Sequence, residues 1–194
     1  MTPRVVAVAA FTAAVCLVPS TPVQSAAAVV TVQVVDMSFT PSKVTARLGD
    51  TVTWQFQDVT VHTTTSDQGF WDSGSKSAGQ SFSHQFVSAG AFAYHCEIHG
   101  HAMRGTVKVP VNATGSPANG WRVRWATVKG AGSTTYDVQV RKPGSNRWTT
   151  LKNDVTKPSM KYNPAKAGKY AVRARTNSGS LSSGWSRAKS LTIS

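Results

Sequence analysis

Apolar and polar residues alternate in short runs along this chain. Val30, Val32 and Val34 are separated by Thr31 and Gln33; Val44, Ala46 and Leu48 by Thr45 and Arg47; and Val52, Trp54 and Phe56 by Thr53 and Gln55. A period of two puts every second side chain on one face, which predicts half-buried strands. Phe82 with Phe86, and Phe92 with Tyr94, predict two more around the turn Ser88-Ala89-Gly90. The pattern resumes after Gly120, where Trp121, Val123 and Trp125 face away from Arg122 and Arg124. Tyr136, Val138 and Val140 repeat it, as do Tyr170, Val172 and Ala174. No stretch of useful length carries a helical period. Short strands broken by Gly and Pro turns predict an all-β protein built from sandwiches or barrels.

Two segments break the alternation. Residues 1–28 hold one charge, Arg4, an almost unbroken apolar run from Val5 to Val18, and the small residues Ser25-Ala26-Ala27-Ala28. They read as a secretory signal peptide, which places the mature chain outside the cell or in the cell envelope. No later apolar run reaches the roughly 18 residues of a membrane span, so no transmembrane segment is expected after its removal. Residues 112–119, inside the Pro-, Gly- and Ser-rich stretch from Val109 to Gly120, read as a linker. The expected domains are therefore 29–111 and 120–194.

Charge divides the chain at the same place. The formal net charge of +13 is not shared: residues 28–112 sum to about −1 and residues 113–194 to about +13. The halves therefore meet different partners, or one needs a positive charge that the other avoids.

Loss of the signal peptide removes Cys16 and leaves Cys96 as a lone thiol in an oxidising compartment. Metal ligation is the leading reason for such a thiol. Cys96, His99 and Met103 stand together in Tyr94-His-Cys-Glu-Ile-His-Gly-His-Ala-Met-Arg-Gly105. By parity Cys96 continues the inward face of Phe92 and Tyr94, and the following loop can return His99 and Met103 to the same point. His62, in a polar stretch after the Val52–Phe56 run, is the candidate second histidine. Two imidazoles, a thiolate and a weak axial thioether form the ligand set of an electron-transfer copper site. Zinc sites rarely use methionine and prefer several thiolates or a carboxylate. His101 competes with His99, but only Ala102 separates it from Met103, a tight bend for two side chains on one ion. His84 reads as a hydrogen-bonded histidine at the core edge and His95 as a surface residue; neither is offered as a ligand.

These residues resemble a cupredoxin of the plastocyanin type, most closely an amicyanin-type blue copper domain. The resemblance spans 29–111 and rests on Phe39-Thr-Pro-Ser-Lys-Val, Leu48-Gly-Asp-Thr-Val-Thr-Trp54 and His62 followed by Ser66. It extends to Phe70-Trp-Asp-Ser-Gly, Phe82-Ser-His-Gln-Phe86, and Tyr94-His-Cys-x-x-His with Met-Arg-Gly105. It implies a Greek-key β-sandwich or barrel holding one type 1 copper, with His62, Cys96 and His99 equatorial and Met103 axial. Three residues separate His99 from Met103, where the amicyanin type has two and plastocyanins four. Family members shuttle single electrons between redox proteins that dock at the loop histidine. Here Ile98, Ala102 and Phe70 are the candidates for the apolar rim around His99. Copper sequestration or delivery without electron transfer is the alternative use of the same ligands. An enzyme is not expected: five histidines are too few for a multicopper oxidase, and no catalytic triad or phosphate loop is present.

Residues from about 115 to 194 are similar to a fibronectin type III (immunoglobulin-like) sandwich. Trp125 matches its second-strand tryptophan, Tyr170 the tyrosine of its sixth strand, and Trp185-Ser186 the end of its last loop. That topology would put Arg141, Arg173 and Arg175 on one outer face, with Lys169 at its edge. Solvated surface charge and a binding surface remain open there. A binding role would select an anionic cell-wall polymer or polysaccharide, or lipid headgroups; nucleic acid is not an expected partner.

Overall fold

A computed structural model describes residues 26–194; most of the expected signal peptide lies outside the described residues. All regular structure among the described residues is β. The first sandwich contains β1 (Val29–Val35), β2 (Ser38–Thr40), β3 (Lys43–Thr45), β4 (Thr51–Phe56), β5 (Thr65–Ser66), β6 (Ser81–Gln85), β7 (Gly90–Cys96) and β8 (Gly100–Val109). One sheet has the order β2-β1-β4-β6 and the other β3-β8-β7-β5. The β1–β4 and β3–β8 pairs are parallel, which forces the chain to cross between sheets rather than fold back as hairpins.

The alternation read from the sequence sets these faces. Val32, Val34, Val52, Trp54 and Phe56 point into one core with Phe92, Tyr94 and Val107. The β1–β2 connection is a two-residue turn with Asp36 and Met37 at φ of 49° and 54°, as a tight hairpin with right-handed strand twist requires. On β8, Gly105 faces Tyr94 so closely that a methyl group there would fall inside the phenol ring. The missing side chain is what lets Tyr94 lie flat in the core.

The second sandwich contains β9 (Asn112–Ser116), β10 (Gly120–Arg124), β11 (Thr134–Arg141), β12 (Thr149–Val155), β13 (Ser159–Tyr162), β14 (Gly168–Ser178), β15 (Leu181–Ser182) and β16 (Lys189–Ile193). Its sheets are β13-β10-β9 and β12-β11-β14, with β15 and β16 both pairing β14. Trp125, Tyr136, Val138, Tyr170, Val172 and Leu191 fill its core. The segment read as a linker is different in the structure: β9 pairs with β10 from Asn112↔Arg124 to Ser116↔Gly120. Its small polar residues suit an edge strand and a tight turn as well as a loose connection.

The sandwiches are joined by more than the chain. Ala91 and Gly184 exchange backbone hydrogen bonds of 2.8 and 2.9 Å, and Ala89 N–H donates to the Trp125 carbonyl at 2.7 Å. The buried Thr176 hydroxyl bonds Ser88 Oγ at 2.8 Å and the Ala89 carbonyl at 3.0 Å. Leu48 packs against both cores. The second sandwich thus grips the start of β7, and Cys96 lies at the other end, about 20 Å away along the strand.

Candidate metal centre

β7 buries Gly90, Phe92, Tyr94 and Cys96 in strict alternation, so the Cys96 sulfur points inward at the end of the sandwich. The chain then turns through Glu97, Ile98 and His99, with His99 N–H donating to the Cys96 carbonyl at 3.2 Å. Pairing with β8 resumes irregularly: His95 opposes Arg104 while Cys96 opposes Gly100. The residues between them bulge out of the ladder, and Met103 within that bulge is buried in the same core cluster as Cys96.

His62 arrives from the connection between β4 and β5. Its backbone exchanges hydrogen bonds of 3.0 and 2.8 Å with Lys76, and its side chain is fully buried. His62 Nδ1 stands 3.8 Å from Cys96 Sγ, and His99 Nδ1 stands 3.5 Å from it. The three donor atoms all lie within 4.8 Å of one another. Thr63 N–H donates to the sulfur at 3.3 Å, and Thr63 Oγ1 accepts the Glu97 N–H at 2.9 Å. One threonine therefore ties the His62 segment to the loop after Cys96. Two imidazole nitrogens and one thiol sulfur converging in a buried pocket fit a soft, borderline metal such as copper.

The ring of His62 is oriented from behind. Its Nε2 bonds Asp58 Oδ2 at 3.1 Å, and the same carboxylate oxygen accepts the Met37 N–H at 3.2 Å. The His62 contact holds the Asp58 carboxyl below its ordinary range, with the Met37 amide adding to the effect. This leaves Nδ1 free toward the sulfur, the arrangement in which an outer carboxylate fixes the tautomer of a ligating histidine. Asp58→Asn is expected to weaken Cu(II) binding by about 10–100-fold, measured by competition against a chelator, with little change in fold.

The structure brings His62, Cys96 and His99 together. The His101 side chain lies outside the described residues; among those described, the histidine that joins His62 and Cys96 is His99. His84 lies between Trp71 and Phe86, with ring centroids at 5.1 and 5.0 Å, and burial lowers its pKa. Its ring is packed against other rings and makes no hydrogen bond among the described residues. His95 Nδ1 meets Asp67 Oδ1 at 2.6 Å on the other face of the strand. Ile98 is exposed beside His99, and Ala102 is exposed as well. Phe70 departs from the expectation: it is half-buried and packs edge-on against Phe92 of the core, centroids 5.0 Å apart. Asp58 and Thr63 were missed in the sequence. A carboxylate four residues before the histidine was the visible signal for Asp58, whereas the Thr63 contacts, one through its backbone and one through its hydroxyl, left none.

A family model described as a cupredoxin-like domain matches residues 5–109. A plastocyanin of Scenedesmus fuscus is 35% identical over 83 residues, covering 37% of this chain and 85% of that protein. A solved Cu(I) amicyanin variant is 27% identical, covering 42% of this chain and 81% of that one, with a TM-score of 0.40. A purple cupredoxin from Nitrosopumilus maritimus is 22% identical, covering 41% of this chain and 98% of that one, with a TM-score of 0.39.

Proposed function

The chain belongs to the cupredoxin-like domain family, and from that membership we propose that it is a secreted type 1 copper protein carrying single electrons between redox partners. The observation that carries this reading is the buried convergence of Cys96 Sγ with Nδ1 of His62 and of His99. His62, Cys96 and His99 would hold the copper, with the Met103 thioether as a fourth, weaker ligand. Copper, when bound, supplies the one-electron Cu(I)/Cu(II) couple.

The protein's contribution is a fixed ligand cage. His62 is held by a backbone bridge and by Asp58, Cys96 by β7, and the two segments by Thr63. Ligands that cannot move far keep reorganisation small when the charge of the site changes. His62 is fully buried, whereas His99 is only partly so, next to exposed Ile98 and Ala102. Redox partners would therefore dock over His99, and no substrate chemistry is needed.

The same reading takes residues 1–28 as the export signal, 29–111 as the copper domain and the remainder as a fibronectin type III-like module that localises it. Neighbouring β11 and β14, within sheets of three and five strands, support the module's class. The test is a titration of the mature protein with Cu(II), followed by voltammetry. One equivalent of copper giving an intense visible band and a reversible one-electron couple is expected. Tight copper binding without that couple would favour sequestration.

A further inference from the structure

The outer face of β11 and β14 carries a ladder of alternating arginine and tryptophan. Arg141 lies over Trp148 at 5.3 Å, and Arg173 lies between Trp148 at 4.2 Å and Trp185 at 4.8 Å. Arg175 closes the series over Trp185 at 4.9 Å. The guanidinium of Arg173 is pinned by Gln139 Oε1 through Nε at 3.0 Å and Nη2 at 2.7 Å. Long cationic side chains are normally mobile; here stacking and hydrogen bonds hold them in place before any ligand arrives.

Two clefts adjoin the ladder, one at Arg141 and one at Trp185. One, of about 500 Å³, is lined by Arg141, Lys142 and Lys169 with the polar groups of Ser145, Asn146 and Ser190. The other, of about 360 Å³, is lined by Trp185, Ser186 and Arg187 from the second sandwich and by Thr45, Ala91 and Lys108 from the first. Among the described residues only Arg175 of this set has a carboxylate partner, Asp137 at 2.8 Å. Burial and the nearby charge of Arg141 hold the Arg173 pKa below its ordinary value. The face is thus a stripe of positioned, mutually repelling cations.

We propose that this stripe binds a linear acidic polysaccharide that runs from the Arg141–Lys142–Lys169 cleft along the ladder to Lys108 on the copper domain. The proposal rests on the reading of the second sandwich as a localising module and supplies its ligand and its path. A carboxylate-bearing sugar chain fits because repeated oxyanions can pair with successive guanidiniums, while hydroxyls meet Ser145, Asn146 and Ser190. Single-stranded nucleic acid fits less well, because bases bind by stacking on open aromatic rings. Each indole here already carries two guanidinium groups. Lys169 to Arg175 alone spans about 20 Å of strand, so a short fragment cannot reach both clefts.

The experiment is calorimetric titration of the full copper-loaded chain with oligogalacturonates of increasing length, at low and at physiological salt. Neutral dextran and a single-stranded oligonucleotide of equal charge serve as comparisons. Affinity is expected to rise with length until both clefts are spanned and to fall with salt. Lys169→Ala and Lys108→Ala, both at exposed positions, should each weaken the long oligomer by about tenfold. Their copper spectra should match that of the parent, confirming that they fold. Loss at Lys169 without loss at Lys108 would overturn the path onto the copper domain and leave the localising module standing. No binding of any length at low salt would overturn both. Equal or tighter binding of the oligonucleotide would overturn the choice of polysaccharide.

Discussion

Cys96→Ser is expected to eliminate the intense visible band of the Cu(II) protein while leaving a weak, nearly colourless copper complex. The exchange keeps side-chain shape, so His62 and His99 stay where their own supports hold them: the Lys76 bridge and Asp58 for the first, the turn on the Cys96 carbonyl for the second. What changes is the donor. A thiol is deprotonated readily by a metal, and its soft sulfur shares charge with copper; a serine hydroxyl does neither at neutral pH. Cys96 is the free cysteine among the described residues and is fully buried, so no other sulfur there can replace it as the thiolate. The Thr63 N–H that points at the sulfur would face an uncharged oxygen and lose its charge-assisted bond. Copper stoichiometry and visible absorption on the same sample separate the outcomes. A serine variant that stays intensely coloured would remove Cys96 from the metal, and the type 1 assignment with it.

Why that centre could be seen in the sequence while its surroundings could not follows from the range of the signals. Strand parity is local, so Phe92, Tyr94 and Cys96 announce a shared inward face within five residues. Donor chemistry is also local: a thiol, an imidazole and a thioether in one loop restrict the metal. His62 needed one further step, since the approach of the β4–β5 connection to the end of β7 depends on how two sheets stack. Thr63 lies one step beyond that, because its role depends on hydrogen bonds to Cys96 and Glu97, more than thirty residues away; Asp58 is only four residues from His62, but nothing in the sequence shows that it turns toward the ring. Phe70 looked like part of an exposed rim because an aromatic near a histidine has no marked direction in sequence, yet packing on Phe92 draws it inward. The turn at 87–91 gave no hint that it is clasped by Trp125, Thr176 and Gly184, for its residues read as an ordinary surface turn. Composition alone suggested a linker at 112–119; tertiary pairing with β10 made its first part a strand.

Trp54→Ala is expected to destabilise the protein by about 3–5 kcal/mol, a fall in melting temperature of about 6–20 °C for a chain of this size. Trp54 is fully buried and stands among Tyr94 at 5.3 Å, Trp71 at 5.5 Å and Phe82 at 6.0 Å between ring centroids. Strands from both sheets hold these rings, so a cavity there cannot close by moving one loop. Trp185, by contrast, is only half-buried, and its removal should cost considerably less because solvent already meets part of the ring. The loss should also reach the copper site. Tyr94 precedes Cys96 by two residues on the same face, and its ring is held between Trp54 and the bare backbone of Gly105 on β8. Without Trp54 the Tyr94 ring gains room, the end of β7 loosens, and the visible band of the copper form should broaden. Thermal melting of the apo protein reads the packing term, and the spectrum of the copper form reads the transmitted one. A melting point within about 2 °C of the parent would show that the aromatic cluster does not hold the two sheets together. A large thermal loss with an unaltered spectrum would instead show that the metal ligands are fixed by their own loop contacts, Asp58 and Thr63 above all, and not by the core beneath them.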